Sequence, residues 1–117
     1  MSKELDSFER PLEVDAKTVK SLLDQRADVL IVDCREPAER AICTIEPSLF
    51  LPMREISHRL SELEPYRHRH IVVHCHGGIR SLRVTQWLRS QGFDNVQNLI
   101  GGIDAWSLEI DSTVPRY

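Results

Sequence analysis

The segment Cys75-His76-Gly77-Gly78-Ile79-Arg80-Ser81 holds the residues best suited to chemistry. A cysteine acts as a nucleophile through its thiolate, so a reactive one needs surroundings that favour negative charge. Gly77 and Gly78 permit backbone with positive φ where the chain must curl tightly. Such a curl turns successive N–H groups inward and forms a nest for an anion. A helix starting near Ser81 adds its unpaired N–H groups and its positive end. Arg80 places a permanent cation at the rim of the loop. These features suit a thiolate at Cys75, a persulfide anion, or a bound oxyanion. His76 lies inside the loop, where it is expected to touch a donor or an acceptor.

Alternating strand and helix signals must position this loop, and they indicate an α/β sheet wound on both faces. The run His70-Ile-Val-Val-His74 reads as a strand that ends at Cys75. In an open parallel sheet, ligands gather outside the carboxyl ends of strands. The run from Asp28 to Cys34 is short, continuous and rich in Val and Ile, as a strand buried on both faces is. Ser48–Leu51 and Val96–Leu99 read as further strands. Asp15 is placed to cap a first helix carrying Val19, Leu22 and Leu23 on one face. Glu36-Pro37 starts a short second helix, with proline suited to its first turn. Ile56, Leu60 and Leu63 are spaced as in an amphipathic helix ending near Pro65. A helix from Ser81 to about Gln91 turns Val84, Trp87 and Leu88 inward. Gly92 supplies its left-handed end, and Phe93 packs back on it. Gly101-Gly102 leads into a short helix with Trp106, and residues 111–117 are expected to be exposed.

Composition narrows the function. A chain of 117 residues, 41% hydrophobic and 28% charged, fits one domain with a small core. The net charge of -3 offers no electrostatic support for a nucleic-acid partner. No apolar run is long enough to span a membrane. The opening MSKELDSFER lacks the apolar core of a signal peptide. Three cysteines, an odd number, argue against a disulfide framework and for a reducing compartment, with the cytoplasm as the expected location.

Four ordered blocks extend the case. Cys75-His76-Gly77-Gly78-Ile79-Arg80-Ser81 resembles the active-site loop of the rhodanese family, which runs Cys, two residues, Gly, one residue, Arg, then Ser or Thr. Val32-Asp33-Cys34-Arg35-Glu36-Pro37 is similar to the family's early Asp-x-Arg-Glu segment. Leu51-Pro52-Met53 is similar to its Ile-Pro-Leu or Ile-Pro-Met turn. Asn98-Leu99-Ile100-Gly101-Gly102-Ile103-Asp104-Ala105-Trp106 is similar to its closing Leu-x-Gly-Gly-x-x-x-Trp signature. The resemblance covers about residues 12–108. It implies a rhodanese-like α/β domain: a central parallel sheet of about five strands with helices on both faces. The implied enzyme is a single-domain thiosulfate sulfurtransferase. Cys75 would attack the outer sulfur of thiosulfate or a persulfide donor, carry it as a persulfide, and pass it to cyanide or to a small-molecule or protein thiol. His76, Gly77, Gly78, Ile79, Arg80 and Ser81 would bind substrate. No metal or organic cofactor is implied. The stretch Cys43–Ser48 departs from relatives that carry Gly-His-Ile followed by Gly-Ala there.

Other residues have plainer readings. Asp33 and Arg35 could brace the loop, and an internal ion pair accounts for them more simply. Cys34 is expected on the opposite face from both, as a packed thiol rather than a resolving one. Cys43 is read the same way. His68, His70, His74 and His76 lack a metal-binding spacing, and His74 is expected to be a packed strand residue. Two alternatives remain. One is a cysteine-dependent phosphatase of related fold, whose loop has five residues between Cys and Arg where this chain has four. The other is a non-catalytic binding module of the same fold, against which the presence of Cys75 speaks.

Overall fold

The computed structural model describes residues 10–117. The opening segment, read above as unlike a signal peptide, otherwise lies outside the described residues. Strands β1 (Glu13–Val14), β2 (Val29–Asp33), β3 (Leu49–Phe50), β4 (His70–His74) and β5 (Val96–Leu99) form one parallel sheet in the order β1-β5-β4-β2-β3. Helices α1 (Ala16–Asp24), α2 (Pro37–Ile42) and α3 (Ile79–Ser90) connect strands, and α4 (Gly102–Glu109) follows β5.

Both faces of the sheet are covered, which explains the unbroken apolar strands. Alternate residues feed opposite layers. Val32, Ile71 and Val73 join Val84 and Leu88 of α3, with Leu63 and Phe93. Ile31 and Val72 join Val19 of α1 with Ile103 and Trp106 of α4. The expected caps are present. Asp15 Oδ1 accepts from the Thr18 N–H at 2.8 Å. Gly92 has φ of 92°, and Phe93 packs back with its N–H on Leu88 O at 3.1 Å.

Two local expectations need correction. The chain makes a short strand, β1, immediately before α1, whereas the sequence reading began with the helix. At two residues it is too short for a periodicity to register. The segment carrying Ile56, Leu60 and Leu63 is not an α-helix. It forms two 3₁₀ stretches, Met53–Glu55 and Leu60–Tyr66, with Pro65 inside the second. Proline has no N–H to donate and disfavours α geometry in the residue before it. The apolar positions still turn inward, with Ile56 and Leu63 buried.

Candidate active site

Cys75 follows directly on β4, the central strand, and is 1% exposed. Its Sγ accepts from the N–H of Gly78 at 3.1 Å and of Ser81 at 3.4 Å. The Ser81 hydroxyl lies 3.3 Å from Sγ and 2.5 Å from Asn98 Oδ1. That hydroxyl has one proton for two acceptors. The two N–H groups are therefore the constant donors, and the hydroxyl joins them when it rotates from Asn98. Burial raises the cost of a thiolate here, but the Ser81 and Gly78 donors, aided by the Arg80 charge, outweigh it and lower the Cys75 pKa.

Only one of the two loop glycines has the conformation expected of both. Gly78 has φ of 104°, and a side chain there would press on the backbone of Gly101. Gly77 has no positive φ, and a Cβ there would meet nothing within 4 Å. The other side of the loop rests on the start of α4. The N–H of Ile103 donates to Cys75 O at 3.0 Å, and that of Asp104 to His76 O at 3.1 Å. Gly102, with φ of 58°, lies so close that a Cβ would strike both carbonyls. Gly101-Gly102 is thus part of the site's support.

Arg80 is not a bare cation. Its guanidinium forks onto Glu39 of α2 at 2.7 and 2.9 Å. The Arg80 hydrogen bonds, against some burial, hold the Glu39 carboxyl down to about 2. Tyr117 completes this edge. Its hydroxyl donates to Glu39 Oε2 at 2.8 Å and accepts from Arg35 Nη1 at 3.0 Å. Its ring stacks on His76 with centroids 4.2 Å apart. Ile79 is 75% exposed.

Asp33 and Arg35 form a buried pair with contacts of 2.8 and 2.7 Å. Arg35 also donates to Cys43 O at 2.7 Å, and Arg40 reaches Asp33 at 3.1 Å. The pair therefore ties β2 to α2, and through Tyr117 and Glu39 to Arg80. Cys34 lies in the other layer, in the same apolar cluster as Cys75. Burial, and then the Cys75 charge, push its thiol well above the ordinary range, which leaves it protonated and unreactive. Burial also pushes His74 down to about 4, so it is neutral near pH 7, with Nδ1 3.2 Å from Cys75 O.

Sequence reasoning missed Asn98, Glu39 and Tyr117 as site residues. Asn98 Nδ2 donates to Gly78 O at 3.1 Å while its Oδ1 holds Ser81, so it clamps the loop from β5. Glu39 had a signal. It sits three residues after Glu36 in a capping box, which places it on the first turn of α2. Asn98 heads the closing signature block but was given no role there, and Tyr117 had no signal.

Ser81→Ala tests the donor set. The thiolate loses one donor and Asn98 loses its partner, so Cys75 should titrate at higher pH. Iodoacetamide labelling of Cys75 at pH 7 should slow by about tenfold, since a hydrogen bond to a charged group is worth roughly 1.5–3 kcal/mol. An unchanged pH profile of labelling would leave the two N–H groups as sole donors.

A cysteine sulfur cradled by backbone N–H groups, at the carboxyl end of a central parallel strand, defines a cysteine-loop α/β protein. Comparison with known proteins specifies it. Residues 15–109 match the family model described as "Rhodanese-like domain". A protein named "Sulfurtransferase" from Allochromatium vinosum is 41% identical over 95 residues, spanning 81% of this chain and 87% of that one. The "Rhodanese-like/PpiC domain-containing protein 12, chloroplastic" of Arabidopsis thaliana is 36% identical over 91 residues, but the match spans only 30% of that longer protein. Among solved structures, the thiosulfate sulfurtransferase of Pseudomonas aeruginosa aligns over 91% of this chain and 20% of its own, at 31% identity and a TM-score of 0.75. A rhodanese-like domain protein of Staphylococcus aureus aligns over 92% of this chain and 99% of its own, at 26% identity and a TM-score of 0.77. The chain belongs to the rhodanese-like sulfurtransferase family, with the five-stranded parallel sheet expected for it.

Proposed function

We propose that this protein moves a sulfane sulfur from thiosulfate or a persulfide donor to cyanide or a thiol through a persulfide on Cys75. The observation that carries the reading is the Cys75 Sγ held by the N–H groups of Gly78 and Ser81. In the first half-reaction the thiolate attacks the outer sulfur of the donor. The sulfur–sulfur bond of thiosulfate breaks, and sulfite leaves with the bonding electron pair. The negative charge then sits on the terminal sulfur, where inward N–H groups of the loop stabilise it as they stabilised the thiolate. In the second half-reaction cyanide or a thiolate attacks that terminal sulfur, and Cys75 departs as a thiolate. Asn98 and the start of α4 keep the loop in shape throughout, so its donors need no reorganisation. The hydrogen bonds from Ser81 and Gly78 lower the Cys75 pKa against the cost of burial and so raise the share of thiolate available for attack.

Mass measurement of the intact chain tests this. Thiosulfate should make the protein heavier by one sulfur atom, and cyanide or a reducing thiol should remove it. An aryl phosphate should turn over negligibly. A phosphoryl group needs several donors around its oxygens together with a bidentate arginine. Here Arg80 is already spent on Glu39. Clear phosphatase turnover with no added sulfur would replace this reading with the phosphatase alternative. Absence of both would favour the non-catalytic binding module.

A further inference from the structure

Segment 111–117 leaves α4 and returns to the active-site loop. It is mostly exposed, yet three contacts tie it down. Val114 packs on the apolar layer of α1 and α4. Arg116 pairs with Asp104 at 2.8 Å. Tyr117 then lays its ring on His76 and inserts its hydroxyl between Arg35 and Glu39. A surface tail with no role gains little from so specific a seat.

The seat affects charge at the entrance. A free Arg80 would draw small anions toward Cys75. Here its charge is matched by Glu39 through two short hydrogen bonds, and Tyr117 holds Glu39 from the other side. Asp104, close by on α4, is matched in turn by Arg116. The loop therefore meets an incoming donor with its cation paired and an aromatic ring along its rim.

We propose that Tyr117 and Glu39 are donor-selecting residues, a gate that disfavours small anionic donors while Arg80 remains on Glu39. The inference rests on the sulfur-transfer reading for its biological meaning, but the gate itself is a matter of charge and access. Donors with little net charge near the transferred sulfur are affected least. Small anions such as thiosulfate react well only when Tyr117 leaves His76 and Arg80 is released. Tyr117 is a positioning residue in this scheme: it acts through Glu39 and His76, and not on the sulfur.

Two alkylating agents that differ by one charge test the gate without sulfur transfer. Cys75 is labelled with neutral iodoacetamide and anionic iodoacetate, and the ratio of the two rates is compared between variants. Glu39→Gln should raise the iodoacetate-to-iodoacetamide ratio by about tenfold, because a nearby negative charge is removed from a poorly solvated site. Tyr117→Ala should raise both rates and also the ratio. Tyr117→Phe keeps the ring and loses only the hydroxyl's bridge, so it should raise the ratio by a smaller factor and leave the fold intact. In each variant kcat/KM for thiosulfate should rise in parallel with the ratio. An unchanged ratio in both Glu39→Gln and Tyr117→Phe would overturn the gate, even if sulfur transfer is confirmed. A raised ratio in a protein that accepts no sulfur would uphold the gate and sink the sulfurtransferase reading.

Discussion

Cys75→Ser is expected to leave a folded protein that takes up no sulfur from thiosulfate. The substitution keeps the shape of the side chain, and the N–H groups of Gly78 and Ser81 find an oxygen acceptor in place of Sγ. The chemistry is lost because a hydroxyl is barely ionised near pH 7 and forms no persulfide. The expected loss of turnover is about 10⁴-fold or more, the scale seen when a covalent nucleophile is removed. Cys34→Ala and Cys43→Ala should retain most of the activity. Cys34 lies in the apolar layer with a thiol raised by burial, and Cys43 contributes chiefly its carbonyl, which accepts from Arg35. Circular dichroism and mass measurement after thiosulfate check the three variants together. Sulfur retained by the Cys75 variant, or lost in the Cys34 variant, would move the nucleophile elsewhere.

Arg35→Met is expected to cost about 3–5 kcal/mol of folding stability, the usual penalty for stranding one member of a buried ion pair. The guanidinium is fully buried and donates to both oxygens of Asp33, to Cys43 O and to Tyr117. Without it, the charged partner left to Asp33 is Arg40 at 3.1 Å, beside the backbone N–H of residue 35 at 3.1 Å. Domains of this size are stable by about 5–15 kcal/mol, so the loss approaches the whole margin. The midpoint of thermal unfolding should drop by roughly 10–25 °C. Acid should narrow the gap. Burial alone would raise the Asp33 pKa, but the Arg35 hydrogen bonds outweigh it and hold the group below its ordinary 3.8. A depressed carboxylate contributes its full stability above the unfolded value and loses it as pH falls through the folded value. The difference between wild type and Arg35→Met should therefore shrink as pH falls below about 4. Adding Asp33→Leu to the Arg35 variant should recover part of the loss, because no fully buried charge is then left unpaired; Arg40, which loses Asp33, is partly exposed and keeps Ser48. Denaturant titrations of wild type and the two variants at pH 7 and pH 3 would read all of this. A pH-independent difference would mean that Arg35 matters for its packing and not for its charge.

Much of this protein is local enough to be read along the chain. The strand at His70–His74, the cysteine after it, the glycine at 78 and the following helix are neighbours in sequence. Their positions and backbone demands are set within about ten residues, so residue type and spacing decide them. Unbroken apolar runs foretold strands covered on both faces, and Asp15 and Gly92 marked helix ends where they occur. The 3₁₀ stretch at Leu60–Tyr66 was misread because spacing reports which face is apolar and says little about how tightly the backbone winds.

Tertiary structure decided what surrounds the sulfur. Asn98 reaches Ser81 across 17 residues, Glu39 meets Arg80 across 41, and Tyr117 meets Glu39 across 78. No periodicity or cap encodes such contacts, since they depend on which strands lie side by side. The order β1-β5-β4-β2-β3 puts β5 and β2 on either side of β4, and so brings Asn98 and α2 to the loop. The sequence by itself determined that Cys75 heads a curled loop whose N–H groups turn toward its sulfur, because that curl is made by backbone that follows directly on the cysteine. Only the folded sheet decided that Arg80 would be neutralised at the rim, because its partner comes from another crossover and Coulomb attraction acts through space rather than along the chain.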